Sequence, residues 1–507
     1  MLRVLGSSRR LCDRVSRRDV LRIGSVGFGS LALGDLFRLQ EAQAGAHVGG
    51  STFGRAKRII LLYLYGAAAQ HETFDPKPMA PAEIRGEFRP IATVVPGVSI
   101  CEHLPKIAQL AEKLTLLRSM THPYNIHSAA YTLTGVDRVD IPMELNPYDT
   151  RHWPFFGSVL EYLAREKHRT DAGSVRHGMR EVPSNIALPY LFSSRCPEFD
   201  RGGPYGGFLG RTYNPVWTDF EGKSSRGVKR WRGNEDSVIQ DPYAGVTPES
   251  RFVIRQAGRL QPGVTLDRLN RRRSLLGQLD SARRRFDGSP ATRSLDRYQQ
   301  MAWSLITSRK LRDALDVARE KPAVRERYGM TLFGQATLAG RRLLEAGATL
   351  VSVFWDEYGP ANTAWDTHFN HYERLKGELL PGLDSALSAL LLDLEQRGML
   401  DDTLVMCLTE HGRTPKITLG TPRGVGREHW SNVYSNLLAG GGIARGKVVG
   451  SSDREGAFVN GDPVSPKDVL CTMYHLMGVD PHRTLTDNLG RRLPLVSGGK
   501  VLRQALG

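Results

Sequence analysis

Several short segments of this 507-residue chain place histidines and carboxylates together directly after apolar runs. In TLVMCLTEHGRTPKI (403–417), Glu410 and His411 follow a run with strand character. Similar groups follow other runs: His71, Glu72 and Asp75; His122, Asn125, His127 and Ser128; Asp366, His368 and His371; Glu428 and His429. Carboxylates and neutral imidazoles are preferred ligands of zinc, manganese and related divalent ions. These residue types therefore predict a metal site.

Taken singly, each of these residues is expected to be an ordinary polar group at a strand end. Five such groups favour ligation, because functional side chains of open α/β sheets collect beyond the carboxyl ends of the strands. Asp366 and His368 are two residues apart, which places both on one side of an extended segment. Glu410 and His411 are adjacent, so both reach one cavity only if a turn begins at Gly412. A two-ion site needs roughly six to eight converging groups.

The segments between these groups alternate between strand-like and helix-like patterns. RIILLYLY, LVSVFW and TLVMCL are apolar runs of strand length. ERLKGELLPGLDSALSALLLDLEQ has helical periodicity, and SPKDVLCTMYHLM begins with a capping serine followed by a proline. Strands alternating with helices predict a three-layer αβα sandwich with a mostly parallel central sheet. We expect a single domain over 55–500, with a loop-rich and helical insertion around 137–345.

Residues 1–44 have the order of features that is typical of a twin-arginine export signal. Arg17 and Arg18 precede an apolar, glycine-rich run over 23–33, and small residues follow near position 44. The run is shorter than the ~20 residues that a membrane-spanning helix needs. We therefore expect the twin-arginine machinery to export the folded protein to the periplasm or the outside of the cell, which suits a protein that acquires its metal first.

The composition is that of a soluble globular protein, with 40% hydrophobic and 24% charged residues. The net charge of +16 at pH 7 favours anionic partners, which we expect to be small-molecule or polysaccharide esters. No nucleic-acid-binding motif accompanies the basic charge, so nucleic acid is not an expected partner. Cys101, Cys196, Cys407 and Cys471 are far apart, and buried thiols and one or two disulfides remain alternatives.

Two motifs resemble those of the alkaline phosphatase superfamily, which includes sulfatases and nucleotide pyrophosphatases. TLVMCLTEHG resembles the strand and DHG turn of that superfamily, and SAAYTLTG resembles the segment that carries the nucleophile. TFDPKP, WDTH, GRTPKI, HWSNVYSNLLAGGG and PVSPKDVLCTMYHLMGVDP, together with the export signal, resemble the exported family called domain of unknown function 1501. This resemblance covers nearly the whole mature chain and implies an alkaline phosphatase-like fold.

The resemblance also implies a set of metal ligands. Ligand roles fall on Asp366 with His368, on Glu410 with His411, on His429, and on Glu72 or Asp75, with His127 completing the predicted set. In the Glu410 and His411 pair, glutamate replaces the usual aspartate. The ions expected there are zinc, manganese or calcium. We predict that Lys77, His122 and Arg413 bind an anionic substrate.

The nucleophile position departs from the superfamily pattern. Counting back from Gly135, this position falls on Asn125, and an amide cannot act as the nucleophile. Three alternatives remain: Ser128 takes the role if the loop is shifted, water activated by a metal attacks directly, or catalysis has been lost. Asn125 and Ser128 are therefore the candidate catalytic residues.

Two main functions follow from these patterns. The first is an exported metal-dependent hydrolase of phosphate or sulfate esters with a two-metal site. The second is a non-catalytic, metal-stabilised or glycan-binding envelope protein that retains the fold, because fold alone does not establish activity. A purely structural envelope protein, in which the polar clusters only form hydrogen bonds, is a third alternative.

Overall fold

The computed structural model of the protein describes most of the chain beyond the predicted export signal. The described residues are 52–136, 139–171, 181–196, 200–230, 237–254, 305, 307–421 and 424–507. The predicted signal (1–44) and most of the arginine-rich segment predicted to be helical (255–304) lie outside them. Residues Gly54–Gly507 belong to one compact unit. Within the described residues, no helix has the length and apolar character required to cross a membrane.

Within the described residues, nine strands form one central sheet. They are Arg58–Leu64 (β1), Leu114–Met120 (β2), Asn185–Leu188 (β3), Val216–Glu221 (β4), Arg251–Ile254 (β5), Leu350–Trp355 (β6), Thr403–Leu408 (β7), Tyr434–Ala439 (β8) and Lys447–Val449 (β9). Their order is β9-β2-β8-β7-β1-β6-β3-β4-β5. β8 and β5 run antiparallel to their neighbours, and the remaining strands point in one direction. The predicted α/β class with a mostly parallel sheet is confirmed.

The α-helices of the described residues cover this sheet. They are Ala82–Arg85 (α1), Pro105–Ala108 (α2), Ala129–Thr134 (α3), Ile141–Glu144 (α4), Phe156–Asp171 (α5), Arg309–Leu315 (α6), Pro322–Tyr328 (α7), Leu332–Glu345 (α8), His371–Arg374 (α9), Leu380–Gln396 (α10) and Pro466–Leu476 (α11). Short two-stranded ribbons supplement them: Pro90–Ala92 with Ser99–Cys101, Gly227–Lys229 with Val238–Gln240, Gly412–Arg413 with His429–Trp430, Thr418–Thr421 with Gly424–Gly426, Ser451–Ser452 with Val459–Asn460, and Thr484–Thr486 with Arg492–Pro494.

Helices pack on both faces of β1. A methyl group added at Gly340 in α8 would lie 3.1 Å from Ile60 Cδ1, so this helix approaches one face closely. Tyr63 points to the opposite face, because side chains alternate along a strand, and its hydroxyl lies 2.6 Å from Thr132 Oγ1 in α3. Burial on both faces explains why β1 reads as a continuous apolar run, and it gives the predicted three layers.

Two of the helices that the sequence predicted can be compared with the structure. At α11, the Ser465 side chain accepts the Asp468 N–H and the Asp468 carboxylate accepts the Ser465 N–H, as the capping serine predicted. The long helix expected from His371 onward is α9, a π-helical stretch over Leu375–Leu379, and α10. The π-helical stretch ends two residues before Pro381, which has no N–H to donate to the preceding turn.

The segment around 137–345, predicted to be an insertion, contributes strands to the central sheet. It supplies β3, β4 and β5, which form one end of the sheet next to β6. These strands have four to six residues and neither a continuous apolar run nor a regular alternation, so the sequence pattern did not distinguish them from loops. Cys101, Cys407 and Cys471 are free thiols, and burial raises the pKa of each to about 12.

Candidate metal centre

Six of the predicted ligands form two adjoining groups beyond the carboxyl ends of the strands. The outer donor group is His127, Asp366, His368 and His429, and the inner donor group is His127, Glu410 and His411. Within each group, the ligand atoms lie within 4.8 Å of one another. The inner donor group is buried, whereas the side chains of Asp366, His368 and His429 are 22%, 28% and 23% exposed. Only the outer donor group is open to a substrate.

A glycine allows the loops after β1, β6 and β7 to meet at this centre. Gly66 has φ +105°, and its N–H donates to Glu410 Oε1 at 2.7 Å. A Cβ at this position would lie 2.3 Å from the backbone nitrogen of Asp366, closer than any side chain tolerates. The turn at Gly412 brings both Glu410 and His411 to the ring of His127. The sequence predicted that these two adjacent residues reach one cavity only if a turn begins at Gly412.

Backbone carbonyls determine which nitrogen of two histidines carries the hydrogen. Nδ1 of His411 lies 2.9 Å from Gly412 O, and Nδ1 of His429 lies 3.4 Å from Asn125 O. A carbonyl oxygen can only accept a hydrogen bond, so each Nδ1 is the protonated nitrogen. Nε2 therefore bears the lone pair in both rings. His411 Nε2 is buried without a hydrogen-bond partner.

A carboxylate has the same effect on His368. Its Nδ1 lies 2.5 Å from Glu428 Oε2, so this nitrogen donates, and in the neutral ring Nε2 bears the lone pair. Yet Nε2 of His368 lies only 2.9 Å from Nε2 of His429, whose lone pair faces the same point. In the neutral rings these two acceptors repel each other unless a proton or a metal ion lies between them. This arrangement fits a metal ion.

The spacing of the outer donors also fits one ion. Asp366 Oδ1 lies 3.0 Å from His368 Nε2, 3.4 Å from His127 Nε2 and 3.7 Å from His429 Nε2. Ligands about 2.0–2.1 Å from a tetrahedral zinc lie roughly 3.3–3.4 Å from one another. The three nitrogens and one oxygen of the outer donor group therefore have the chemistry and spacing of a single coordination sphere.

Arg413 fixes Asp366 in its charged form. Burial alone would raise the pKa of Asp366, but Arg413 and His127 together hold that pKa well below its ordinary value. Arg413 is fully buried, pairs with Asp366, and donates to the carbonyl oxygens of Ala67 and Arg427, each at 3.1 Å. The residue predicted to bind substrate thus lies behind the donors, where it fixes a ligand.

The histidine pKa values follow from burial and from the two carboxylates. Burial alone would lower the pKa of His127, but Asp366 and Glu410 outweigh it and raise this pKa to about 9. Burial lowers the pKa of His411 well below its ordinary value, and the charges of His127 and His429 add to this effect. Burial also lowers the pKa of His429. His411 and His429 are therefore neutral at pH 7, the form that binds metal.

Glu72 lies outside both donor groups, in a cluster that we name the Arg427 cluster: Glu72, His371 and Arg427. Arg427 donates to Glu72 Oε1 from Nε at 3.1 Å and from Nη2 at 2.5 Å. His371 Nε2 lies 3.1 Å from Glu72 Oε2. Burial alone would raise the pKa of Glu72, but Arg427 and His371 outweigh it and lower the pKa. Arginine supplies the positive charge here.

Asp75 and Lys77 also lie outside the donor groups, and they pair with each other. Lys77 Nζ lies 3.0 Å from Asp75 Oδ1, and Arg118 Nε lies 3.7 Å from the same oxygen. Ser452 donates to the other carboxylate oxygen. The predicted acidic ligand and the predicted substrate-binding lysine thus neutralise each other.

His122 supports the inner donor group from behind. Its Nδ1 accepts the Tyr124 N–H at 3.1 Å, so Nε2 is the protonated nitrogen and donates to Glu410 O at 2.6 Å. Burial lowers the pKa of His122 to about 4, which keeps the ring neutral. The structure thus places this predicted substrate-binding residue against the backbone of a ligand.

The two candidate catalytic residues differ in their surroundings. Ser128 caps α3 by accepting the Tyr131 N–H at 3.2 Å, and its hydroxyl donates to Glu144 Oε2 at 2.8 Å. Burial raises the pKa of Glu144 to about 8. Asn125 is exposed, and its carbonyl oxygen faces His429 Nδ1.

Three residues of this region were given no ligand, substrate-binding or catalytic role from the sequence, although Glu428 was noted in the same group as His429. They are Gly66, which binds Glu410; Glu428, which orients His368; and Glu144, which accepts from Ser128. Glu428 directly precedes His429 in GREHW, and Gly66 directly follows the first strand, so position beside a ligand or strand end was a usable signal for both. Glu144 lies in a segment without a recognisable pattern.

Comparison with known families identifies the group to which the chain belongs. A family model described as "Protein of unknown function (DUF1501)" matches residues 56–506. The chain belongs to this family. The predicted family membership is therefore confirmed, while its place within the alkaline phosphatase superfamily stays a prediction. A search of curated proteins found no match.

Several solved structures share a weak similarity with the chain. A phosphonate monoester hydrolase of Agrobacterium radiobacter has a TM-score of 0.37 at 12% identity, with 88% of this chain and 78% of that chain covered. Ps i-CgsB in complex with k-i-k-neocarrahexaose has a TM-score of 0.36 at 12% identity, covering 84% and 72%. The lipoteichoic acid synthase LtaP from Listeria monocytogenes has a TM-score of 0.35 at 10% identity, covering 89% and 76%. Function must therefore be inferred from the site itself.

Proposed function

We propose that this chain is an exported, metal-dependent hydrolase of phosphate or sulfate esters. The observation that carries the proposal is the 2.9 Å separation of the His368 and His429 Nε2 atoms, which in the neutral rings direct two lone pairs to one point beside the charged Asp366. Zinc, manganese or calcium would bind there, and zinc suits the nitrogen-rich donor set best. The inner donor group would hold the second ion of a two-metal site.

The exposure of the outer donor group gives an anionic ester access to the centre. A divalent ion there would supply Lewis-acid stabilisation of the charge that develops on the ester oxygens. Asp366 is fixed by Arg413, and His368 is oriented by Glu428, so the chain positions these donors before substrate arrives. The basic charge of the chain favours the approach of small-molecule or polysaccharide esters.

An activity screen tests the proposal. The purified full-length chain is assayed on aryl phosphates, phosphodiesters and aryl sulfates with added zinc, manganese or calcium. We expect turnover that is lost on chelation and in Asp366→Asn, whereas the exposed control Asp462→Asn retains it. Turnover that is equal in Asp366→Asn and the wild type would overturn the proposed role of the centre.

One observation favours the second candidate, a non-catalytic metal-stabilised or glycan-binding envelope protein. The Ser128 hydroxyl is buried and engaged with both Glu144 and the first turn of α3, and Asn125 offers an amide. This candidate predicts bound metal and retention on an acidic polysaccharide matrix without turnover of any ester in the screen. Turnover lost in Asp366→Asn contradicts it.

Export is part of the proposal and has its own test. The paired arginines and the following apolar run support transport by the twin-arginine machinery to the periplasm or beyond. We expect a reporter fused after residue 44 to leave the cytoplasm, and Arg17→Lys with Arg18→Lys to retain it there. Equal export of both fusions would contradict the twin-arginine route.

A further inference from the structure

His127 is the one residue shared by the outer and inner donor groups within the described residues. Its two ring nitrogens face different carboxylates. Nε2 lies 3.4 Å from Asp366 Oδ1, and Nδ1 lies 2.8 Å from Glu410 Oε1. Asp366 follows β6 and Glu410 follows β7, so the ring lies between donors that two strand ends supply.

The position of the ring is fixed on several sides. It is 8% exposed and stacks on His411, with ring centroids 5.1 Å apart and an interplanar angle of 28°. The ring of His429 meets it edge-on at 4.2 Å, and the ring of Tyr65 lies at 5.5 Å. His127 also directly precedes Ser128, the capping residue of α3. The ring therefore has little freedom to turn away from either carboxylate.

The inner donor group contains an unused buried lone pair. Nε2 of His411 has no hydrogen-bond partner, and the side chain is fully buried. Leaving a buried acceptor unpaired is unfavourable. If only the outer donor group held an ion, His127 could donate from Nδ1 to Glu410 as an orienting contact, but the His411 lone pair would stay unpaired. An inner ion would pair it.

We propose that His127 is a bridging ligand, with Nε2 bound to a divalent ion in the outer donor group and Nδ1 bound to a second ion in the inner donor group. This inference rests on the metal centre of the proposed function. Binding through both nitrogens requires the ring, which Asp366 and Glu410 keep protonated in the metal-free chain at pH 7, to release both of its N–H protons to solvent. The bridged ions are then farther apart than the ~3.5–4 Å typical of two-metal sites that share smaller bridges. Only the outer ion is open to substrate.

Copper(II) is a suitable probe, because imidazole binds it well and an imidazolate bridge couples the unpaired electrons of two copper ions. The metal-free full-length chain is titrated with copper(II) sulfate and followed by electron paramagnetic resonance and metal analysis. We expect the integrated signal to rise with the first equivalent and to decrease with the second. The matched control is His411→Ala, which should bind one equivalent and show no decrease.

The outcomes separate this inference from the proposed function. Two bound ions with additive signals, or only one bound ion in the wild type, overturn the bridge while leaving a metal centre. No bound ion overturns both the bridge and the proposed function. The wild-type titration decides between these results even if His411→Ala does not fold.

Discussion

The metal centre and the Arg427 cluster contain the same residue types, but we assign metal binding to the first and a structural role to the second. Both place buried carboxylates against histidines beyond the strands of one sheet. In the Arg427 cluster, a guanidinium satisfies Glu72. In the outer donor group, the Nε2 atoms of His368 and His429 face each other at 2.9 Å, a pair that a cation between them would satisfy. Arg413 also pairs with Asp366 in the metal centre, so the feature that distinguishes this centre is the pair of facing imidazole nitrogens.

In a third cluster, a retained proton neutralises a buried carboxylate. Asn362 Nδ2 donates to Asp241 Oδ2 at 2.8 Å and also to Glu378 Oε1. Burial raises the pKa of Asp241, and burial together with Asp241 raises the pKa of Glu378 to about 8. At neutral pH, the native pair therefore retains a proton that an exposed carboxyl would release. The chain thus neutralises buried carboxylates with arginine, with a proton and, as proposed, with metal.

The largest expected effect is loss of metal on removal of a donor. We expect His429→Ala to lower the affinity for zinc by more than the ~10–100-fold that loss of an orienting residue costs. The matched variant His371→Ala removes a histidine of the Arg427 cluster and should leave zinc affinity unchanged. Equilibrium dialysis with zinc measures both. Equal affinities would remove the distinction between the two clusters.

The next effect is on stability. Arg427→Met leaves Glu72 charged and buried without its guanidinium, which should lower the free energy of unfolding by about 3–5 kcal/mol. The double variant Arg427→Met with Glu72→Gln should recover part of this loss, since no unpaired charge remains. Urea unfolding measures both, and metal content should be unchanged. A single variant as stable as the wild type would contradict the assigned role of Arg427.

The proton-neutralised pair predicts a pH dependence. The raised pKa of Glu378 means that the native state holds a proton which the unfolded chain releases above about 4.5. The free energy of unfolding should therefore fall by up to about 1.4 kcal/mol per pH unit as the pH rises from about 4.5 to 8. Glu378→Gln should flatten this decline in urea unfolding at several pH values, while the exposed control Glu373→Gln keeps it. Parallel curves for Glu378→Gln and the wild type would refute the shared proton.

The smallest effect concerns the residue that orients a donor. Glu428→Gln weakens the hold on Nδ1 of His368, and because Glu428 is half-exposed we expect about a 10-fold loss of zinc affinity, the low end for such residues. Competition with a zinc-binding dye measures it. A loss as large as that of His429→Ala would mean that Glu428 is itself a ligand.

Local patterns in the sequence predicted the elements that position the site. The buried strand β7 and the capped helix α11 were recognisable because burial and capping leave signals within a few residues. The strands β3 and β5 were missed because four residues give no clear period, and β4 was missed because its sequence, VWTDFE, is neither a continuous apolar run nor a regular alternation.

The partner of each polar side chain could not be predicted in the same way. Glu72 and Glu410 both follow buried strands, but Glu72 meets Arg427, which lies 355 residues away in the chain. Arg413 likewise meets Asp366 across 47 residues and becomes a support for a ligand. Which carboxylates meet an arginine depends on long-range packing, and Asp366 shows that such a carboxylate can still lie among the metal donors.

Metal content tests the central claim most directly. The full-length chain, purified without chelators and dialysed against trace zinc, is analysed by mass spectrometry for bound metal alongside His368→Ala. The account predicts at least one equivalent of a divalent transition metal in the wild type and its loss in the variant. Less than one equivalent in the wild type, or the same content in His368→Ala, would contradict it.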